Sequence, residues 1–132
     1  MQTIKTVWVN GCFDVLHRGH IELFKYAKSL GKTLIVGIDA DERIKAAKGS
    51  SRPINNTKDR RFILESIKYI DHIVSFASDD DLIRWIKFWK PDCMVVGSDW
   101  KEKKVIGGEH TQKIIFFDRI GDYSTTNILE KK

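Results

Sequence analysis

Asn10-Gly11-Cys12-Phe13-Asp14-Val15-Leu16-His17-Arg18-Gly19-His20 joins two segments of different periodicity. Before it, Ile4 to Val9 alternates weakly and is rich in β-formers, which suits a strand. After it, Ile21, Leu23, Phe24, Ala27 and Leu30 recur at helical spacing, and Gly31 stands where a C-terminal cap belongs. The unit is a strand, a tight loop at Gly11 to Asp14, and a helix over Gly19 to Leu30.

The same alternation continues outward. Thr33 to Ile38 is a short β-branched run without polar interruption, the pattern of a strand buried on both faces of a parallel sheet. Asp41 is placed to cap a helix reaching Lys48, Gly49 to Asn56 has loop composition, and Thr57 or Lys58 opens a helix through Lys68 with Phe62, Ile63, Ile67 and Ile70 on one side. Ile73 to Phe76 suits a third strand. Asp79-Asp80-Asp81 puts acids at the positive end of a helix carrying Leu82, Ile83, Trp85, Ile86 and Trp89, and Pro91 stops it. Cys93 to Val96 and Ile114 to Phe117 are strands flanking a glycine-bearing loop from Gly97 to Gly108. Ser124 to Leu129 suits a last short helix. Five strands separated by helices predict an α/β fold, a doubly wound parallel five-stranded sheet of Rossmann-like type, with ligands beyond the C-terminal strand ends.

Length and composition set the outer bounds. The 132 residues, 42% hydrophobic, support one domain over 1–132 with a single core. No apolar run approaches the roughly 20 residues of a membrane span, and the N-terminus lacks the pattern of a secretory signal, so a cytoplasmic chain with no membrane partner is expected. Two cysteines, Cys12 and Cys93, make neither a disulfide framework nor a four-cysteine zinc module. The net charge of +5 is entirely N-terminal: Met1 to Ser66 holds 12 basic against 7 acidic residues, and the remainder 11 against 11. Lys45, Lys48, Arg52, Lys58, Arg60 and Arg61 face only Asp59 in that stretch, which by charge alone suits a small polyanion, a nucleic acid or plain solvent.

Two histidines three apart on a first helical turn share a face, with Gly19 between them leaving room for close approach. A helix start already favours anions through its free N–H groups and dipole, and two imidazole donors turn it into a phosphate cradle. An isolated pair at this spacing also suits capping or the surface. A zinc site on His17, His20 and Cys12 lacks a fourth ligand at a recognised spacing, and no metal ligands are assigned.

The run from Gly11 to His20 resembles, residue for residue, the GxFDxxHxGH signature of the cytidylyltransferase-like nucleotidyltransferases. Lys48-Gly49-Ser50-Ser51-Arg52-Pro53-Ile54-Asn55 with Asp59-Arg60 is similar to the KGxxRPIN and DR segments of bacterial heptose-1-phosphate adenylyltransferases, and Ile106-Gly107-Gly108-Glu109 and Tyr123-Ser124-Thr125-Thr126 follow in that family's order. Gly97-Ser98-Asp99-Trp100 instead resembles the GDDW of glycerol-3-phosphate cytidylyltransferases, and Val96 stands where the heptose branch usually carries lysine.

The resemblance implies transfer of a nucleoside monophosphate, AMP from ATP ahead of CMP from CTP, to a phosphorylated sugar or alditol, with release of pyrophosphate. It implies Mg²⁺ accompanying the nucleoside triphosphate, and a homodimer. By the same carry-over, His17, His20 and Lys48 are catalytic. Gly11, Cys12, Phe13, Asp14, Gly19, Gly97 and Asp99 contact the nucleotide, and Arg119 with Ser124, Thr125 and Thr126 holds the β and γ phosphates. Arg60 is the candidate for the acceptor phosphate.

Each assignment has a plainer counterpart. Asp14 orients a histidine, assists a metal or caps the turn. Cys12 reads as a small residue beside the backbone and not a nucleophile, and Phe13 as core before base stack. Arg60 either binds acceptor or pairs on the helix surface with Asp59 or Glu65. Trp85 and Trp89 belong to core or to a dimer surface. Gly31-Lys32-Thr33 imitates the end of a P-loop, but Tyr26 occupies the position of its first glycine and the triplet precedes a strand. No GxGxxG follows any strand, which argues against a dinucleotide-dependent hydride transfer. A non-catalytic nucleotide or RNA module is the competing class, and no nucleic-acid partner is expected because the basic stretch lacks interleaved aromatics.

Overall fold

A computed structural model describes residues 4–98 and 103–118. Its elements run β1 (Thr6–Gly11), α1 (Arg18–Ser29), β2 (Thr33–Asp39), α2 (Asp41–Lys48), α3 (Thr57–Glu65), β3 (His72–Phe76), α4 (Asp79–Trp89), β4 (Cys93–Gly97), a 3₁₀ turn at Gly108–His110, and β5 (Lys113–Phe117). The strands form one five-stranded sheet in the order β3-β2-β1-β4-β5, and every pairing is parallel. This is the α/β architecture expected from the alternation of strands and helices.

Both faces of the sheet are covered, which explains the uninterrupted apolar strands. Val7, Val9, Leu34, Val36 and Ile38 face Phe24 and Ala27 of α1 and Leu64 of α3. Trp8, Ile35, Val74, Phe76 and Met94 face Leu82 and Ile86 of α4, with Trp85 and Trp89 packed at the margin. Trp8 packs against β2 where Gly37 leaves it room; a Cβ there would sit 2.7 Å from the indole. At the N-terminal edge, Asp92 accepts the Lys5 and Thr6 amides at 2.9 and 3.0 Å, and Asp71 accepts the Leu34 amide at 2.8 Å. Those carboxylates anchor the strand starts and leave the opposite edge for chemistry.

Three elements differ from the sequence expectation. β1 extends to Gly11 because its ladder with β2 continues to the Gly11–Ile38 pair. Ala40, not Asp41, occupies the N-cap of α2. α3 stops at Glu65, and its inward residues are Arg60 and Leu64, whereas Phe62 is 71% and Ile63 41% exposed. The apolar phase misled there because the residue that points inward is a charged one.

β1 and β4 pair only through Val7–Cys93 and Trp8–Met94. Beyond those rungs, Val9–Gly11 and Val95–Gly97 have no ladder between them, and a crevice opens at the point where the strand order reverses. This is where a doubly wound sheet receives its ligand.

Candidate active site

A cavity of about 510 Å³ fills that crevice. Its floor is Val9, Asn10, Gly11, Val95, Val96 and Gly97 from the two parted strands. Cys12 and Phe13 line it from the loop after β1, Asp39 from the end of β2, Arg43 and Lys48 from α2, and Val105 and Ile106 from the segment before the 3₁₀ turn.

The loop after β1 is held in shape by Phe13. Phe13 has φ +48°, in the left-handed region that costs a bulky side chain energy. Its ring folds back over Gly11, where a Cβ would lie 2.9 Å from the ring edge. The ring also makes edge contacts with Phe24 and with His20, at centroid distances of 5.0 and 5.5 Å. Phe13 is therefore chiefly core, 6% exposed, and it braces the imidazole from below.

The histidines cap α1, the plainer reading that their spacing also allowed. His17 is the N-cap, and its Nδ1 accepts the Gly19 amide at 3.1 Å. His20 reaches back so that its Nδ1 accepts the His17 amide at 3.1 Å. The two rings stack at 3.8 Å. This is a capping box built from imidazoles in place of the usual hydroxyl and carboxyl. Gly19 thus spends its amide inside the cap. Accepting an N–H requires a lone pair at Nδ1, so the proton of each neutral ring is on Nε2. The cap thus fixes the tautomer that donates from Nε2.

Burial pushes His20 down to about 4, with His17 and the Lys48 ammonium acting in the same direction. His20 is accordingly neutral at pH 7 and offers Nε2–H as a donor without carrying charge. An unfolded chain protonates this imidazole below its ordinary value of 6.5 and the folded chain does not until about 4. Stability contributed by the neutral ring is therefore intact above pH 6.5 and is lost as pH falls from there to 4. The loss amounts to at most about 3 kcal/mol. Urea unfolding at pH 7 and pH 4.5 should show that loss in the wild type and a visibly smaller one in His20→Gln; equal pH dependence in both would detach it from His20.

Two sequence assignments need correction. Arg60 does not meet an acceptor phosphate, nor does it pair on the surface with Asp59 or Glu65. It is fully buried, and all five of its N–H donors are taken: Nε by Asn55 O, Nη1 by Cys12 O and Asp39 O, and Nη2 by Asp41 Oδ1 and Thr57 Oγ1. It ties the loop after β1, the end of β2 and the starts of α2 and α3 together beneath the cavity. Asp14 works on a distant loop. Its buried carboxylate accepts the Ile54 and Asn55 amides at 2.6 and 2.7 Å and Arg52 Nε at 3.2 Å, clamping the loop before α3. The spacing of Asp14 to Arg52-Pro53-Ile54-Asn55 carries no local signal, so only the fold reveals that contact.

Cys12 is half-buried, and burial pushes its thiol up against the opposing pull of Lys48 and Arg60, which suits a wall residue and not a nucleophile. Lys48, the last residue of α2, is exposed on the cavity rim and close enough to act on His20, Cys12 and Asp39. Asp99, Arg119, Ser124, Thr125, Thr126 and the final helix lie outside the described residues. Among the described residues no three His, Cys, Asp or Glu side chains converge on a metal position, and no helix is long and apolar enough to cross a membrane.

A cytidylyltransferase-like family model matches residues 8–131. The chain belongs to the cytidylyltransferase-like family. Among the chains it is similar to, bifunctional protein HldE of Helicobacter hepaticus is 43% identical over 126 residues, covering 96% of this chain and 26% of that one. HldE of Campylobacter fetus is 42% identical over 95% of this chain and 27% of its own length. The chain thus spans about a quarter of the curated relatives it matches. A crystal structure of a lipopolysaccharide core biosynthesis protein from Thermoplasma volcanium superposes with a TM-score of 0.73 at 27% identity, over 89% of this chain and 99% of that one. Pantoate-beta-alanine ligase from Francisella tularensis, 18% identical, shares the fold with a TM-score of 0.68 over 99% of this chain and 67% of its own. The family match spans the signature at Gly11 to His20, and the neighbours share the parallel Rossmann-like sheet.

Proposed function

We propose that this cytidylyltransferase-like chain transfers AMP from Mg·ATP to the phosphate of a sugar such as heptose 1-phosphate and releases pyrophosphate. An acceptor phosphate oxygen attacks the α-phosphorus, the bond from that phosphorus to the bridging oxygen breaks, and pyrophosphate leaves with the electron pair. An ionised phosphate needs no strong base, so the protein's work is to align two polyanions and to stabilise charge on the equatorial and leaving oxygens. The observation that carries this reading is the imidazole capping box at the start of α1, whose His20 ring packs on Phe13 and feels Lys48, both of them lining residues of the cavity at the sheet's switch point. Neutral donors suit that role, because they polarise a phosphate oxygen without being titrated by it.

Magnesium enters as part of the nucleotide substrate, held by its phosphates and water, where it screens charge. Lys48 supplies the fixed cation at the rim. Lys48→Ala is expected to weaken nucleotide affinity, rate or both by about tenfold or more; unchanged initial-rate kinetics would remove it from the site. Arg119 and the Ser124 to Thr126 run are assigned to the β and γ phosphates and Asp99 to the nucleoside, on the family resemblance. A cytoplasmic homodimer belongs to the same reading, and a sedimentation mass near the 15.3 kDa monomer would reject the dimer.

Gly97-Ser98-Asp99-Trp100 favours a second reading, CMP transfer from CTP to glycerol 3-phosphate. HldE relatives over nearly the whole chain support the first. Pyrophosphate release measured across four nucleoside triphosphates with heptose, hexose, glycerol and alditol phosphates decides between them. Nucleotide binding without release for any pair would reduce the chain to a binding module.

A further inference from the structure

One charged group in the cavity has the wrong sign for a phosphate. Asp39, at the end of β2, lines the cavity with its side chain 22% exposed. Its Oδ1 accepts Arg43 Nε at 2.8 Å, while Arg43 Nη2 donates to Asp79 Oδ1 at 2.7 Å and the guanidinium lies 5.3 Å from the centre of the Phe76 ring. Two carboxylates thus share one guanidinium, which leaves Arg43 no surplus charge for an anion. Asp39 Oδ2 and Arg43 Nη1 have no hydrogen-bond partner among the described residues.

Burial pushes the Asp39 carboxyl up, and Arg43, Arg60 and Lys48 oppose it, so the group is held at a cost that a purely structural ion pair on the surface would avoid. One open acceptor beside one open donor, on a pair fixed at both ends, matches two adjacent hydroxyls: one donates to Asp39 Oδ2 and the other accepts from Arg43 Nη1. We propose that Asp39 and Arg43 form a diol-reading subsite that grips the hydroxylated body of the phosphoryl acceptor. The inference rests on the transferase reading above and names what selects its acceptor.

Position assigns the diol to the acceptor before the ribose. In the order β3-β2-β1-β4-β5, Asp39 ends β2, on the far side of β1 from β4. The apolar floor of Val95, Val96 and Ile106 lies on the β4 side and offers a flat base its wall. The turn from β1 into α1, where the phosphates react, stands between the two. A nucleoside on the β4 side with its phosphates at the histidines leaves Asp39 and Arg43 to the other substrate.

Asp39→Asn keeps the volume and an acceptor for Arg43, so the fold is retained, as a melting curve would verify. Wild type and variant are compared by initial rates with heptose 1-phosphate, using Mg·ATP and Mg·2′-deoxy-ATP. The expected result is a rise of about tenfold or more in acceptor KM with ATP KM and kcat close to wild type. An unchanged acceptor KM overturns the proposal. So does a rise confined to ATP that vanishes with 2′-deoxy-ATP, which would give the pair to the ribose. Calorimetric titration of heptose 1-phosphate alone separates this subsite from the transferase reading. Binding that weakens about tenfold in the variant supports the subsite even without turnover, and equal or absent binding overturns it.

Discussion

His20→Ala and His17→Ala are each expected to slow turnover by about a hundredfold to a thousandfold, the usual consequence of losing one fixed donor to a transferring or leaving oxygen, roughly 3 to 4 kcal/mol. Each also removes half of the α1 capping box, so each loses roughly 1 kcal/mol of stability. The two losses can be separated. His17→Asn keeps a side-chain oxygen able to accept the Gly19 amide, and His20→Gln keeps one able to reach the His17 amide, as in ordinary capping boxes. Stability should return in those variants while the rate stays low, because neither amide places an N–H where the imidazole Nε2 stood. Initial rates of pyrophosphate release beside urea midpoints read both quantities. If Asn and Gln restored the rate along with the stability, the histidines would be caps and nothing more.

How much of this was legible beforehand depended on whether the signal was local. The β1–α1 unit and the buried strand Thr33–Asp39 follow from residue order, because a strand buried on both faces must be apolar throughout. The pair His17 and His20 was visible as two residues sharing one helical face. Capping was one of the readings that spacing left open, and the hydrogen bonds of the Gly19 and His17 amides to the two Nδ1 atoms show it. Asp14 and Arg60 read as chemistry-bearing in the sequence, whereas the hydrogen bonds of both tie distant segments together. Their partners lie 38 to 41 residues away for Asp14 and up to 48 for Arg60, and a charged side chain gives no sequence sign that it will be buried. Asp39 went unnoticed for the opposite reason: at a strand end it looks like any turn-forming acid, and only the cavity around it gives it meaning.

Arg60→Met should destabilise the fold by about 3 to 5 kcal/mol, because it removes a fully buried guanidinium that makes five hydrogen bonds, three of them to backbone carbonyls. Methionine fills much of the volume but leaves the carbonyls of Cys12, Asp39 and Asn55 and the Asp41 carboxylate without the donors they face. Several of these are buried acceptors, and each unmet one adds its own desolvation cost. Lysine does not rescue the position, because one ammonium on a flexible stem cannot reproduce a planar fork that meets five acceptors in different directions. Arg60→Lys is therefore expected to fall nearer Met than wild type in a urea titration, whereas a surface arginine would tolerate the same change within about 0.5 kcal/mol. Activity should fall in whatever protein remains folded. The Cys12 and Asp39 carbonyls belong to the very segments that carry the phosphate cradle and the proposed diol pair, and a shift of about 1 Å there is enough to misalign in-line attack. An Arg60→Lys protein with wild-type stability and wild-type rate would show that the five bonds are dispensable to both.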